Sequence, residues 1–305
     1  MAVKIYDSSA GAFKDAPTPQ IYDASTQAYK DSTGLVYDKS KGAWDERWGS
    51  VKIVPFATGT DEEIAAMVAA HYADKIRLSD YWVVGDTRTV SLYAMAATGV
   101  AESHRAQDVQ FVIGDFDHDE LATPINDHSK AAVTLLQKDC LMDASSASNP
   151  GHGNTENGYM NSDNTNAGGW KSCARRTWCN NVYFSALPSV WQSIVKTVNK
   201  KTSAGTQQST IETVQDKIFL ASEIEIFSGA TYSYGGEGAR YQFYKNGLSN
   251  MIKRPVFSSD HFSSSYFTRS PYKSNNRQFC IASVMLNISS LEATDLVGIA
   301  PCLCI

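Results

Sequence analysis

No stretch of this 305-residue chain reaches 18 apolar residues, so a membrane-spanning helix is not expected, and neither is membrane insertion. Charge is scarce as well: Asp, Glu, Lys and Arg supply 19% of the residues, below the roughly 25% of an average soluble domain. The formal net charge is −5, and no long basic run offers a cationic face to phosphates. Lys171, Arg175 and Arg176 form one short basic patch and Lys200-Lys201 another, too little to expect nucleic acid as a partner. The opening residues MAVKIYDSS lack the apolar core of a secretory signal, so export by that route is not expected. Catalytic signatures are missing too. HExxH and G-x-S-x-G are absent, and Gly235-Gly236-Glu237-Gly238 lacks the Lys-Ser/Thr of a phosphate loop and reads as a turn. These absences point away from an enzyme. Cys140, Cys173, Cys179, Cys280, Cys302 and Cys304 lack zinc-knuckle spacing; their even number permits up to three disulfides, and most are expected as buried free thiols.

Ser, Thr, Asn, Gly and aromatic residues fill the deficit, with 15 Tyr, 12 Phe and 6 Trp. Such a surface offers hydrogen bonds and flat apolar area at low ordering cost. The clearest pattern lies in residues 1–50. Ile5-Tyr6-Asp7 returns as Ile21-Tyr22-Asp23 and as Val36-Tyr37-Asp38. Seven residues after each Tyr stands a second aromatic, Phe13, Tyr29 and Trp44. Each unit reads as a β-hairpin, and one hairpin cannot bury enough surface alone. Tyr6, Phe13, Tyr22, Tyr29, Tyr37 and Trp44 are therefore candidates for assembly or attachment, through copies of this chain or other subunits.

Residues 51–305 read as one α+β domain. Thr60 and Glu63 have capping-box spacing and start a helix over 61–75. Strands are expected at 81–85, 88–93, 109–114 and 132–136, and a second helix at 188–198 behind Pro188. The alternation at 222–226 reads as extended, which would place Glu223 and Glu225 on one solvated face. The stretches 141–170 and 199–212 are polar, and 229–238 is a set of Gly-rich turns. The apolar end, 297–305, is expected as a buried strand. Asp115, Asp117 and Asp119 alternate through an acidic stretch that reads first as a solvated turn or a set of helix caps; they are the candidate calcium ligands in the lesser reading, without an EF-hand pattern. Trp178 and Trp191 are expected in the core and Arg269 in a buried ion pair. Tyr232, Tyr234, Tyr241, Tyr244 and Tyr272, with Asn275 and Asn276, are the candidates for an exposed recognition surface.

A series of short motifs gives the chain from about residue 80 onward a recognisable outline. They are Tyr81-Trp82-Val83-Val84, Gly169-Trp170, Arg175-Arg176, Asn180-Asn181-Val182-Tyr183, Leu187-Pro188, Asp216-Lys217-Ile218-Phe219-Leu220-Ala221-Ser222, Phe267-Thr268-Arg269-Ser270-Pro271 and Gly298-Ile299-Ala300-Pro301. Their order resembles the DUF6273-type domain of phage and gut bacterial proteins, a distant relative of the C-type lectin and formylglycine-generating-enzyme fold. Ala300 stands where family members commonly carry Arg. The resemblance implies a lectin-like domain with few regular strands, two helices and long ordered loops near 145–168, 229–238 and 257–277. With the repeats, it implies a phage virion protein, in a tail fibre, tail tip or head decoration. That protein would be made in the host cytoplasm, carried on the extracellular particle and homo-oligomeric. Its N-terminus would meet other virion proteins, and its loops a host-surface glycan or protein. The competing readings are an assembly protein without a receptor and, further off, a hydrolase or an oxidase of the formylglycine-generating type.

Overall fold

The computed structural model describes residues 51–101, 103–141, 159–253 and 265–305, with the backbone of six further strands between residues 3 and 48. Those six form three separate antiparallel hairpins: β1 (Val3–Asp7) with β2 (Ala12–Ala16), β3 (Gln20–Asp23) with β4 (Ala28–Asp31), and β5 (Gly34–Asp38) with β6 (Ala43–Trp48). The hairpin expectation is met, and the structure adds the register. Tyr6 lies opposite Phe13, Tyr22 opposite Tyr29 and Tyr37 opposite Trp44. A seven-residue spacing does this because a short strand and a turn return the chain to the partner position. The side chains of the six assembly candidates lie outside the described residues, as do the loop segments 142–158 and 254–264.

Helix α1 (Asp61–Tyr72) opens on the expected capping box. Glu63 N donates to Thr60 Oγ1 at 3.2 Å, and Thr60 N donates to Glu63 Oε2 at 2.8 Å. The helix buries Ile64, Met67, Val68 and Tyr72, and it stops before 75 because Asp74 turns the chain at φ 55°. The strand expected at 81–85 is instead a turn. Asp86 Oδ2 accepts from Val83 N at 3.0 Å, and Gly85 sits at φ 103°. Strands β7 (Thr87–Leu92), β8 (Gln107–Phe116), β9 (Glu120–Ile125), β10 (His128–Lys130) and β11 (Val133–Gln137) follow.

A helical run at 174–186 was not legible in the sequence. It comprises α2 (Ala174–Trp178), a π-helical turn (Cys179–Tyr183) and α3 (Phe184–Ala186). Cys173 supplies no side-chain cap, and the wider π turn breaks the 3.6-residue period. Next, α4 (Ser189–Ile194) packs on α1 and is shorter than expected. Lys196 N donates to Cys304 O at 2.8 Å and draws the β-branched residues after it into extended form.

The polar stretch after 198 is a long hairpin, β12 (Val198–Gly205) and β13 (Gln208–Asp216), whose turn puts Thr206 and Gln207 at positive φ. The order then runs β14 (Ile218–Phe219), α5 (Glu223–Phe227), α6 (Gln242–Lys245), β15 (Tyr266–Pro271), β16 (Gln278–Ala282), β17 (Ile288–Glu292) and β18 (Cys302–Cys304). The largest sheet has the order β14-β18-β11-β8-β7, a second β10-β9-β12-β13 and a third β15-β16-β17, each antiparallel. The α+β class holds, but two helices and few regular strands undercount the architecture. The apolar C-terminus is a buried strand as expected, and it sits between β14 and β11. All six cysteines are buried and unbridged.

Candidate recognition surface

The surface rests on a buried polar hub, and the motif Phe267-Thr268-Arg269-Ser270-Pro271 on β15 is its centre. Arg269 is fully buried and spends all five of its N–H donors. Its guanidinium grips Glu225 twice, at 2.5 and 2.8 Å, and donates to the carbonyls of Leu220 at 2.9 Å and Glu237 at 2.6 Å, while Nε donates to Lys201 O at 3.0 Å. The expected buried ion pair is therefore present. Lys200, whose alternation along β12 turns it inward, donates to Asp119, to Glu225 at 2.7 Å and to the Tyr241 hydroxyl at 3.1 Å. Burial works against every charge here. The Arg269 and Lys200 cations nevertheless outweigh it and hold the Glu225 carboxyl below its usual range. Lys200 outweighs it at Asp119 in the same way.

Glu223 and Glu225 do not sit on a strand. Ser222 and Glu225 close a second capping box, and the segment is the short helix α5, with both carboxylates buried. Ser222-x-x-Glu225 carries the spacing already read at Thr60, so the sequence did hold this signal. The two carboxylates take different tasks. Glu225 meets the cations. Glu223 accepts the backbone N–H groups of Thr231 at 2.7 Å, Tyr232 at 3.1 Å and Ser233 at 2.5 Å, pinning the Gly-rich loop from below. Glu237, at the end of that loop, accepts from Ser203 N at 2.7 Å and from the Ser270 hydroxyl. Burial pushes its carboxyl up to about 7, against the pull of Ser270 and Arg269. A serine beside a shifted carboxylate has the parts of a nucleophile and base. Both groups are fully buried, however, so the pair meets no solvent.

Asn166 binds the other loops. Its Nδ2 donates to the carbonyls of Asn275 and Gln278, both at 2.8 Å, and its Oδ1 accepts from Thr206 N at 2.7 Å. Two glycines make this close approach possible. A Cβ on Gly205 would lie 1.8 Å from Asn166 O, and one on Gly169 would lie 1.9 Å from Ser203 O. Lys273 N donates to Tyr232 O at 2.8 Å, and the Tyr234 hydroxyl donates to Gln207 O at 2.7 Å. Loops 205–208, 229–236 and 271–277 are thus one laced unit. On it the Tyr232 and Tyr272 rings lie 5.1 Å apart at 33°. Tyr232, Tyr234, Tyr272 and Asn275 are half-buried, and Asn276 is exposed.

Two of the expected recognition residues are misplaced. Tyr241 and Tyr244 are buried, Tyr241 with its hydroxyl among Lys200 and Asp119, and Tyr244 against Phe243. They flank the start of α6, whose first turn packs under β8. The calcium reading is overturned as well. Asp115 accepts Gln242 N at 2.9 Å, Asp117 turns the chain at φ 48°, and Asp119 points inward to Lys200 and Thr134. Among the described residues no group of His, Cys, Asp or Glu is placed to hold a metal ion. Trp178 and Trp191 are in the core as expected. The short basic patches are not surface features throughout, since Arg175 and Lys200 are buried.

The other motifs meet at a second junction. Trp170 Nε1 donates to Asp216 at 2.8 Å, Arg176 Nε to the same carboxylate at 2.6 Å and Asn180 Nδ2 at 3.1 Å. Asn180 Oδ1 in turn accepts from Lys217 N at 2.8 Å. These interlocked motifs define an α+β domain of antiparallel sheets with a conjoined set of loops. A family model described as a domain of unknown function, DUF6273, matches residues 131–305, more than half of the chain, and the protein belongs to that family. The match begins after Tyr81-Trp82-Val83-Val84. No curated protein and no solved structure matches the chain.

Proposed function

We propose that this is a non-enzymatic phage virion protein, of a tail fibre, tail tip or head decoration, whose C-type-lectin-like domain recognises a host-surface glycan and whose N-terminal hairpins attach and oligomerise it. The observation that carries the reading is the laced loop unit. Tyr232, Tyr234, Tyr272, Asn275 and Asn276 are presented on backbone fixed by Glu223 and Asn166, so binding orders little that is not already ordered. Aromatic rings with neighbouring amides suit the apolar faces and hydroxyls of sugars. Three separate hairpins, each too small to be stable alone, support attachment through further copies or subunits. A glycan array with the full chain tests recognition. Binding that disappears in Tyr232→Ala/Tyr272→Ala, while the circular dichroism spectrum is kept, is the expected result. Binding indifferent to that change would sink the glycan face.

One observation favours the assembly-only reading. Val83 and Tyr93 are each 62% exposed and Met285 78%, apolar side chains open to contact with another subunit. A structure of the assembled particle separates the two readings: tyrosine loops facing solvent support recognition, and loops buried between subunits support assembly alone.

A further inference from the structure

Helix α1 ends at Tyr72, and the β9–β10 hairpin closes on that end. Asn126, in the hairpin turn, donates its Nδ2 to Tyr72 O, one of the carbonyls that a helix end leaves without an internal partner. His128 Nε2 meets Asp74 Oδ1 at 3.2 Å. The His128 ring also lies against two rings of α1, 4.7 Å from His71 and 5.3 Å from Tyr72. His71 is buried, and its surroundings suit only the neutral ring. Its Nδ1 accepts from Leu78 N at 3.5 Å, which leaves the ring proton on Nε2, and Nε2 has no partner. A second proton would enter at Nδ1 and face the Leu78 N–H. Among the described residues no carboxylate bonds to either nitrogen: Asp74 is held by His128, and Asp117 lies 3.9 Å from the Arg77 guanidinium. Lys196 adds a cation 4.9 Å from the Tyr72 ring, and Lys75, Asp127 and Lys130 are the other charged residues at these two turns of the chain. Burial, with His128 and Arg77 beside it, holds the His71 imidazole below its usual range, against the pull of Asp117 and Asp74.

We propose that the His71–His128 pair is an acid-sensitive clasp, which fixes the end of α1 to the β9–β10 hairpin and releases it when His71 takes a proton. Protonation places an unpaired cation in a buried site, next to a second ring that is itself a cation when it pairs with Asp74. It also turns the acceptor of Leu78 N into a donor. Opening relieves all three conflicts, because it gives the His71 ring to water. What opens is local: the turn at Asp74, the one-turn helix Leu78–Asp80 and the β9–β10 hairpin. Above the ordinary histidine value of 6.5, His71 is neutral with the clasp closed or open. Below it the open form binds a proton that the closed form refuses, so the clasp is at full strength above 6.5 and weakens as pH falls. Glu237 acts in the opposite direction. Its carboxyl is raised to about 7, so it strengthens the hub as pH falls, and a loss confined to the end of α1 cannot come from it.

Amide hydrogen exchange of the full chain tests the clasp, read by mass spectrometry from about pH 7.5 down to about pH 5 and corrected for the intrinsic pH dependence of exchange. The open fraction at 72–82 and 125–130 is expected to rise below 6.5 by up to about tenfold per pH unit, the dependence that one proton gives, while β11 and β18 stay slow. His71→Gln is expected to abolish the rise. Because His71 is buried, His128→Gln at the half-buried partner provides a milder variant. Its amide keeps a donor for Asp74 and removes the neighbouring cation, so its rise over the same range should be smaller than that of the wild type. Exchange at both segments that does not change with pH overturns the clasp, and so does a rise in His128→Gln equal to that of the wild type. A rise that spreads evenly to β11 and β18 overturns it as well, since the domain would then be opening as a whole.

Discussion

Two regions built from the same chain segments have opposite characters. Residues 222–241 and 266–278 supply Glu225, Glu237, Tyr241, Arg269 and Ser270 to the buried hub, and Tyr232, Tyr234, Tyr272, Asn275 and Asn276 to the loop face above it. Below, charged groups are paired and shut from solvent. Above, neutral rings and amides stand on loops that the hub has fixed. A charged motif and shifted carboxylates are therefore a guide to how this domain is built, since structural ion-pair networks shift pKa values as catalytic sites do. Arg269 has no donor left for a ligand, whereas the face has its rings and amides at the surface.

Breaking the hub should have the largest effect. Arg269→Met leaves Glu225 with one cation in place of two and strands the carbonyls of Leu220, Lys201 and Glu237. A loss of about 3–5 kcal/mol in urea unfolding is expected. A loss below about 1 kcal/mol would show that the hub is replaceable and the comparison misdrawn.

Glu237 sharpens the same point through pH. It is protonated in both states below its ordinary value of 4.5. Between there and about 7 it is neutral when folded and ionised when unfolded, so its contribution to stability falls as pH rises and is gone above about 7. Glu237→Gln keeps the neutral form. The variant's unfolding free energy relative to the wild type should rise by about 3 kcal/mol across that window. A difference independent of pH would place the Glu237 carboxyl back in the ordinary range.

What the sequence revealed divides along similar lines. The hairpins, the Thr60 cap and the buried end were legible because each rests on local spacing or on a run of apolar residues, and the ion pair at Arg269 because a cation in a neutral, aromatic neighbourhood needs a partner. The β12–β13 hairpin was not, since Lys200, Thr202 and Ser203 are buried within a polar stretch, and the groups that meet them are distant in sequence: Asp119 and Glu225 for the Lys200 ammonium, Trp170 N for the Thr202 hydroxyl and Glu237 for the Ser203 N–H. Its turn is also hidden, because Thr206 and Gln207 occupy a positive-φ region where Gly or Asn is the usual sign, and Asn166 compensates from 40 residues away. Of the recognition residues, Tyr241 and Tyr244 failed because a tyrosine carries no local mark of whether its hydroxyl will meet water or Lys200. Asn166, Glu223 and Glu237, which hold the loops, are single polar residues whose importance lies in contacts distant in sequence.

Asn166 joins the two regions, and its removal should cost less than that of Arg269. Asn166→Ala leaves the carbonyls of Asn275 and Gln278 and the N–H of Thr206 without their partner. About 2 kcal/mol is expected, since each is a neutral group near enough to the surface to recover water. Amide hydrogen exchange should speed up at 272–278 and 205–208 and stay slow in β11 and β18. Exchange that speeds up across the whole domain would show that the loops and core open as one.

The smallest expected effect on stability, and the one that separates face from hub, is at the tyrosine pair. Tyr232 and Tyr272 are half-buried, and their rings meet at 5.1 Å. Tyr232→Ala and Tyr272→Ala should each cost about 1 kcal/mol, with a coupling between them of roughly 0.5–1.5 kcal/mol in a double-mutant cycle. Both changes leave Glu223 its backbone donors, because Thr231, Tyr232 and Ser233 bind it through main-chain N–H groups that alanine retains. The loop should keep its shape while its surface loses the rings. Array binding, if the face is the recognition site, then falls far more than stability does. Losses of equal size in both measurements, or a stability cost approaching that of Arg269→Met, would make the pair one more piece of the hub.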